Sequence, residues 1–100
     1  MSLRLDTPTA SVPVATLDAY NRYWLPGAKA LGLDLVPQFD SLFINPRNLD
    51  TLIDELSRLK EWMEQSTPPE VFAKLAPRID AMLTALEPLR TSPGFTASVG

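Results

Sequence analysis

Leu49, Leu52, Leu56, Leu59 and Met63 recur at spacings of 3, 4, 3 and 4, and this periodicity constrains the chain more than any other feature. Spaced this way they form one stripe along a helix, with the residues between them turned outward. Asn45 can cap the first turn, and Pro46 suits the first helical position, where a missing N–H costs nothing. A second run follows at once. Phe72, Leu75, Ile79, Met82, Leu86 and Leu89 keep spacings of 3, 4, 3, 4 and 3. Thr67 and Glu70 frame its start as a T-x-x-E capping box, with Pro68 at the first helical position. Pro77 falls inside this run, about 200° round the helix from Ile79, so it bends the helix on the side opposite the seam; a break at Leu75 to Ala76 is the alternative. Two consecutive seams of near 3.5 spacing predict an antiparallel helical hairpin, residues 46–66 against 68–90.

Upstream, Thr16 can cap a helix that places Leu17, Tyr20, Trp24, Ala28 and Leu31 on one face, with Gly32 as its stop. Pro26 removes a backbone donor inside it, so residues 16–31 form either one kinked helix or two short ones. The segment LDLVPQFDSLFI, residues 33–44, fits a strand period through Leu33, Leu35 and Phe39 and a helical period through Leu35, Phe39, Leu42 and Phe43. A lone hairpin is marginal without a third strand, which favours an extended connection and then a helical turn after Pro37. Residues 1–13 read as an extended or disordered arm, in which Leu3 and Leu5 alternate with Arg4 and leave a short edge strand open. Residues 93–100 carry turn residues without periodicity and read as a mobile tail.

These elements predict an all-α fold: a small helical bundle built on the hairpin, with the kinked region 16–31 packed across its groove and residues 14–92 making up a single domain. Two long helices and one short one leave apolar surface uncovered. A homodimeric helical bundle is one way to cover it.

Composition excludes several chemistries. The chain has no cysteine and no histidine, which removes disulfides, thiolate nucleophiles, the usual general base and the commonest metal ligand. No apolar run is long enough for a signal peptide or a membrane span, and a cytoplasmic location is expected. The net charge is −3. Residues 48–70 hold six acids against two bases, a balance of −4, and the remainder sums to +1. An acidic excess gathered on one element is poorly suited to phosphate backbones, so nucleic acid is not an expected partner.

That excess has a direction. At 100° per residue, Asp50, Asp54, Ser57, Glu61 and Glu64 fall within about 40° of one line, away from the apolar stripe. Carboxylates so placed repel one another, and a cationic partner relieves the repulsion. A solvated outer face is the plainer account of the same stripe. Two aromatic residues extend the candidate surface. Trp62 lies about 100° from the centre of the apolar stripe, beside Glu55, where it either shields the core's edge near Phe39 or stands exposed as an anchor; Tyr23 points away from the face that Tyr20 and Trp24 share. Asp50 and Asp54 are close enough to pair as acid and base, but a convex helix face gives no pocket to separate their pKa values. No catalytic residues, cofactor or metal ligands are read from the chain.

The expected function is therefore that of a small acidic binding module that docks on or masks a basic partner protein through Asp50, Asp54, Glu61, Glu64, Trp62 and Tyr23. In size, acidity and helical content such a chain is similar in type to the immunity and antitoxin partners of bacterial toxins, which often cover basic active sites. A structural self-assembly unit is the alternative of a different class.

Overall fold

The computed structural model describes residues 2–100; Met1, the first residue of the expected arm, lies outside them. Its elements run in the order β1 (Ser2–Asp6), β2 (Ser11–Thr16), α1 (Leu17–Ala19), a π-helical stretch (Tyr20–Trp24), α2 (Leu25–Leu31), a 3-10 turn (Val36–Gln38), β3 (Leu42–Ile44), α3 (Leu49–Ser66), α4 (Pro69–Leu86), a second 3-10 turn (Glu87–Thr91) and β4 (Ala97–Val99). The fold is mixed α/β, which corrects the all-α expectation. A four-stranded antiparallel sheet in the order β2-β1-β4-β3 packs against the helices.

The arm and the tail supply most of that sheet. Leu3 and Leu5 point into the core while Ser2, Arg4 and Asp6 face out, the period-2 pattern of a strand with one wet face. Thr7 closes the turn to β2: its N–H donates to the carbonyl of Ala10 at 2.8 Å, and its hydroxyl accepts from Ala10 N–H at 2.9 Å. A bulge shifts the register so that Leu3 faces Ala15 but Arg4 faces Pro13, which lets the consecutive residues Val14 and Ala15 both turn inward. Pro13, with no N–H to donate, is tolerated because β2 is an edge strand. β4 lies between β1 and β3, pairing Leu5 with Val99 and Phe43 with Ser98.

The hairpin forms as the two seams require. Leu49, Leu52, Leu56, Leu59 and Met63 of α3 and Leu75, Ile79, Met82 and Leu86 of α4 are all buried. Their partners differ from the expectation. Instead of a bundle or a second copy, the sheet's inward side chains Leu3, Leu5, Val14, Leu42, Ile44, Ala97 and Val99 complete the same core. Pro77 stays outside and α4 runs unbroken past it. The capping box is not made: Thr67 ends α3, its hydroxyl donating to the carbonyl of Met63 at 2.6 Å, and Pro68 heads α4 without a side-chain cap. Asn45 accepts through Oδ1 from the N–H groups of Arg47 at 2.8 Å and Asn48 at 3.2 Å, capping a turn that leads into α3 three residues later than expected.

Residues 17–31 are helical throughout, with Thr16 Oγ1 accepting from Ala19 N–H at 3.1 Å at the start and Gly32 (φ 68°) at the end. Pro26 does not break the run. The turn before it widens into a π-helix, in which Leu25 N–H reaches the carbonyl of Tyr20, and the wider turn leaves room for a ring that has no N–H to offer.

Candidate functional site

The candidate surface is built where α2 crosses α3. Gly27 is buried there, and a Cβ at its position would fall 2.5 Å from Leu59 Cδ1 and 2.7 Å from Trp62 Cε3. The missing side chain lets the two helices approach closely enough for the Trp62 indole to lie over the α2 backbone. Trp62 is thereby half-buried against Gly27, and it also walls a groove of about 210 Å3 with Leu31, Arg58, Glu61 and Gln65.

The acidic stripe is exposed along its length, spanning about 21 Å from Asp50 to Glu64 at 1.5 Å per residue. It divides electrostatically. Asp50 accepts from Arg90 Nε at 3.0 Å, and Arg90 also reaches Glu87 at 3.3 Å. Glu87 first and Asp50 second hold the Arg90 guanidinium above its ordinary pKa. Asp54 lies 4.0 Å from Arg58, whose other nitrogen donates to the carbonyl of Leu31 at 3.3 Å, at the end of α2 where the helix dipole favours a cation. Glu61 and Glu64 have no cation within ion-pair distance among the described residues. The structure thus brings Glu61 and Trp62 together in one groove, leaves Glu64 outside it on the exposed stripe, and ties Asp50 and Asp54 to the chain's own arginines. Tyr23 is not part of this groove; it is half-buried and packs against the core from the π-helical stretch.

One functional-looking carboxylate was not among the expected site residues. Glu55 is only 4% exposed and faces inward from α3. It accepts from the N–H groups of Asp34 at 3.2 Å, Leu35 at 3.0 and 3.1 Å, and Val36 at 3.0 Å. Three backbone donors converging on one carboxylate compensate the burial of its charge and latch the segment between α2 and the first 3-10 turn. Its signal was present in the sequence, because position 55 lies three residues after Leu52 and four before Leu59, on the inward side of the seam.

The latched segment carries Phe39 into an aromatic cluster. Its ring stacks on Tyr20 at 6.1 Å and tilts against Trp24 at 5.9 Å. Tyr20 Oη donates to the carbonyl of Val36 at 2.6 Å, and burial pushes its pKa above the ordinary tyrosine value, with a backbone hydrogen bond from Phe39 opposing and the Asp40 charge adding. Tyr20 and Trp24 are core residues. The indole N–H of Trp24 is buried without a hydrogen-bond partner among the described residues.

No protein-family model, curated protein or solved structure matches the chain. No helix among the described residues is long and apolar enough to cross a membrane, and no three potential ligands among them are grouped to hold a metal ion.

Proposed function

We propose that the chain is a non-catalytic binding module that docks on a basic surface of another protein through the C-terminal half of α3. The observation that carries this reading is Glu61, a carboxylate with no ion-pair partner among the described residues, beside a half-buried indole in one groove, with Glu64 also unpaired among them farther along the exposed stripe. Carboxylates without an internal partner attract a lysine or arginine from outside, and the indole face offers the same side chain a cation–π contact. Trp62 is already held against Gly27 and Leu59, so little side-chain freedom is lost when a partner arrives. The cytoplasm is the setting proposed, since a chain without cysteine folds there with no need of an oxidising compartment.

Charge reversal tests this reading. Immobilised full-length chain should retain a basic protein from a lysate of its source at low salt and release it at about 0.5 M salt, where screening reaches only a few ångströms. Glu61→Lys with Glu64→Lys should abolish retention. Asp50→Lys with Asp54→Lys should weaken it less, because those two carboxylates already face Arg90 and Arg58. Retention that is indifferent to salt and to the first pair of substitutions would refute the proposal.

A further inference from the structure

The face of the sheet turned away from the helices belongs to neither the groove nor the core. Strand alternation places Arg4 and Asp6 of β1, Ser11 and Pro13 of β2, Phe43 of β3 and Ser98 of β4 on it. Phe43 is 77% exposed, the one large apolar side chain left in solvent among the described residues. Beside it lies a hollow of about 420 Å3 reaching to Thr7 and Pro8, with Ser98 of the intervening strand paired to both Phe43 and Asp6. A projecting ring and an adjoining hollow on one face are complementary to themselves under two-fold rotation.

Charge points to the same occupant. Arg4 and Asp6 are the only charged groups these strands turn outward, and they sum to zero. They are tied together by Ser11, whose Oγ accepts from Arg4 Nη2 at 3.1 Å and donates to Asp6 Oδ1 at 2.6 Å. The chain's net charge of −3 would set two copies against each other at α3, but not here. The sheet's edges are less open than its face. β2 carries Pro13 and a bulge, and on β3 the Asn48 amide donates to the Phe43 carbonyl at 3.0 Å.

We propose that this face is a self-association surface, on which a second copy of the chain packs sheet to sheet about a two-fold axis with each Phe43 in the hollow beside the other. At about 4.8 Å per strand and 3.3 Å per residue the face measures roughly 19 by 15 Å, well under the ~800 Å2 that a stable interface takes from each partner. The dimer is therefore reversible and populated at high concentration.

Sedimentation equilibrium of the full chain from about 10 μM to about 1 mM spans the affinity expected of so small an interface. The average mass should rise toward twice the monomer value. Phe43→Asp should weaken association at least about tenfold with the urea midpoint unchanged, because the ring is in solvent in the monomer. Phe43→Ser provides a second variant should the added charge disturb β3. Glu61→Lys with Glu64→Lys should leave the dimer intact, and salt should not weaken it, which separates this surface from the groove on α3. A chain monomeric at every concentration, a Phe43→Asp dimer as tight as the parent, or concentration-dependent amide shifts on α3 instead of β1, β3 and β4 would each overturn the proposal.

Discussion

Glu55 shows how much of this structure depends on one side chain that composition alone would assign to the surface. Its carboxylate takes the place of water for three consecutive backbone N–H groups, so α3 and the segment carrying Phe39 are fixed relative to each other by a charge. Replacing it should cost more than an ordinary hydrogen bond. Glu55→Gln keeps the shape but loses the charge and turns a donor toward other donors, and should destabilise by about 2 kcal/mol; Glu55→Ala leaves three donors without their acceptor, the one on Val36 buried and those on Asp34 and Leu35 partly so, and should cost roughly 3 kcal/mol. Urea unfolding measures both, and amide exchange at residues 34–36 should quicken in step. A Gln variant within about 0.5 kcal/mol of the parent would mean that water substitutes for the carboxylate and that the latch is weak. The acidic stripe shows the opposite legibility. Helical geometry alone placed Asp50, Asp54, Glu61 and Glu64 on one exposed line, but it could not show that Arg90, forty residues from Asp50, would neutralise one end. That pairing depends on where the second 3-10 turn packs, which the spacing of residues on α3 does not encode.

Among the elements, the helices were readable because their signals are local. A seam of period 3.5, a capping Thr16 and a terminating Gly32 each act within a few residues, and each is present in the structure. The crossing of α2 on α3 was not readable, since it rests on one glycine meeting a leucine and a tryptophan more than thirty residues away. Gly27 gives the clearest check of that crossing. Alanine at this position would gain about 1 kcal/mol of helix propensity, yet its Cβ would lie within 3 Å of the Leu59 and Trp62 side chains, and overpacking of this kind costs about 1–3 kcal/mol. Gly27→Ala should therefore be destabilising by about 1 kcal/mol net, and the Trp62 fluorescence should shift to the red as the indole is pushed toward solvent. An unchanged spectrum with increased stability would show that α2 and α3 leave room for a methyl group at this position.

For the molecule as a whole, the error in fold class and its cause lie in contact order. Each strand of the sheet is short, and β3 and β4 have three residues apiece, too few for alternation to be distinguished from chance. Each becomes a strand only because its neighbour is already in place, and β4 is inserted between β1 at the opposite end of the chain and β3 more than fifty residues before it. Residues 93–100 therefore look like a tail in sequence and act as the keystone of the sheet in space. Phe95, Ala97 and Val99 are buried, and without β4 the strand β3 has no partner while β1 keeps only β2. Burying a valine and a phenylalanine contributes roughly 1.5–3 kcal/mol each, and the lost sheet pairing adds to that; the sum is comparable with the 5–15 kcal/mol that holds a typical domain together. Deleting residues 93–100 should accordingly abolish the cooperative urea transition, whereas removal of a mobile appendage would leave the midpoint unchanged. Far-UV circular dichroism of the truncated chain distinguishes the causes: helical signal retained without a cooperative transition places the defect in the sheet, while loss of both shows that α3 and α4 need the sheet as the other wall of their core. The second result is the one expected, because Leu3, Leu5 and Val99 close the same core that the hairpin opens and no other element is positioned to replace them.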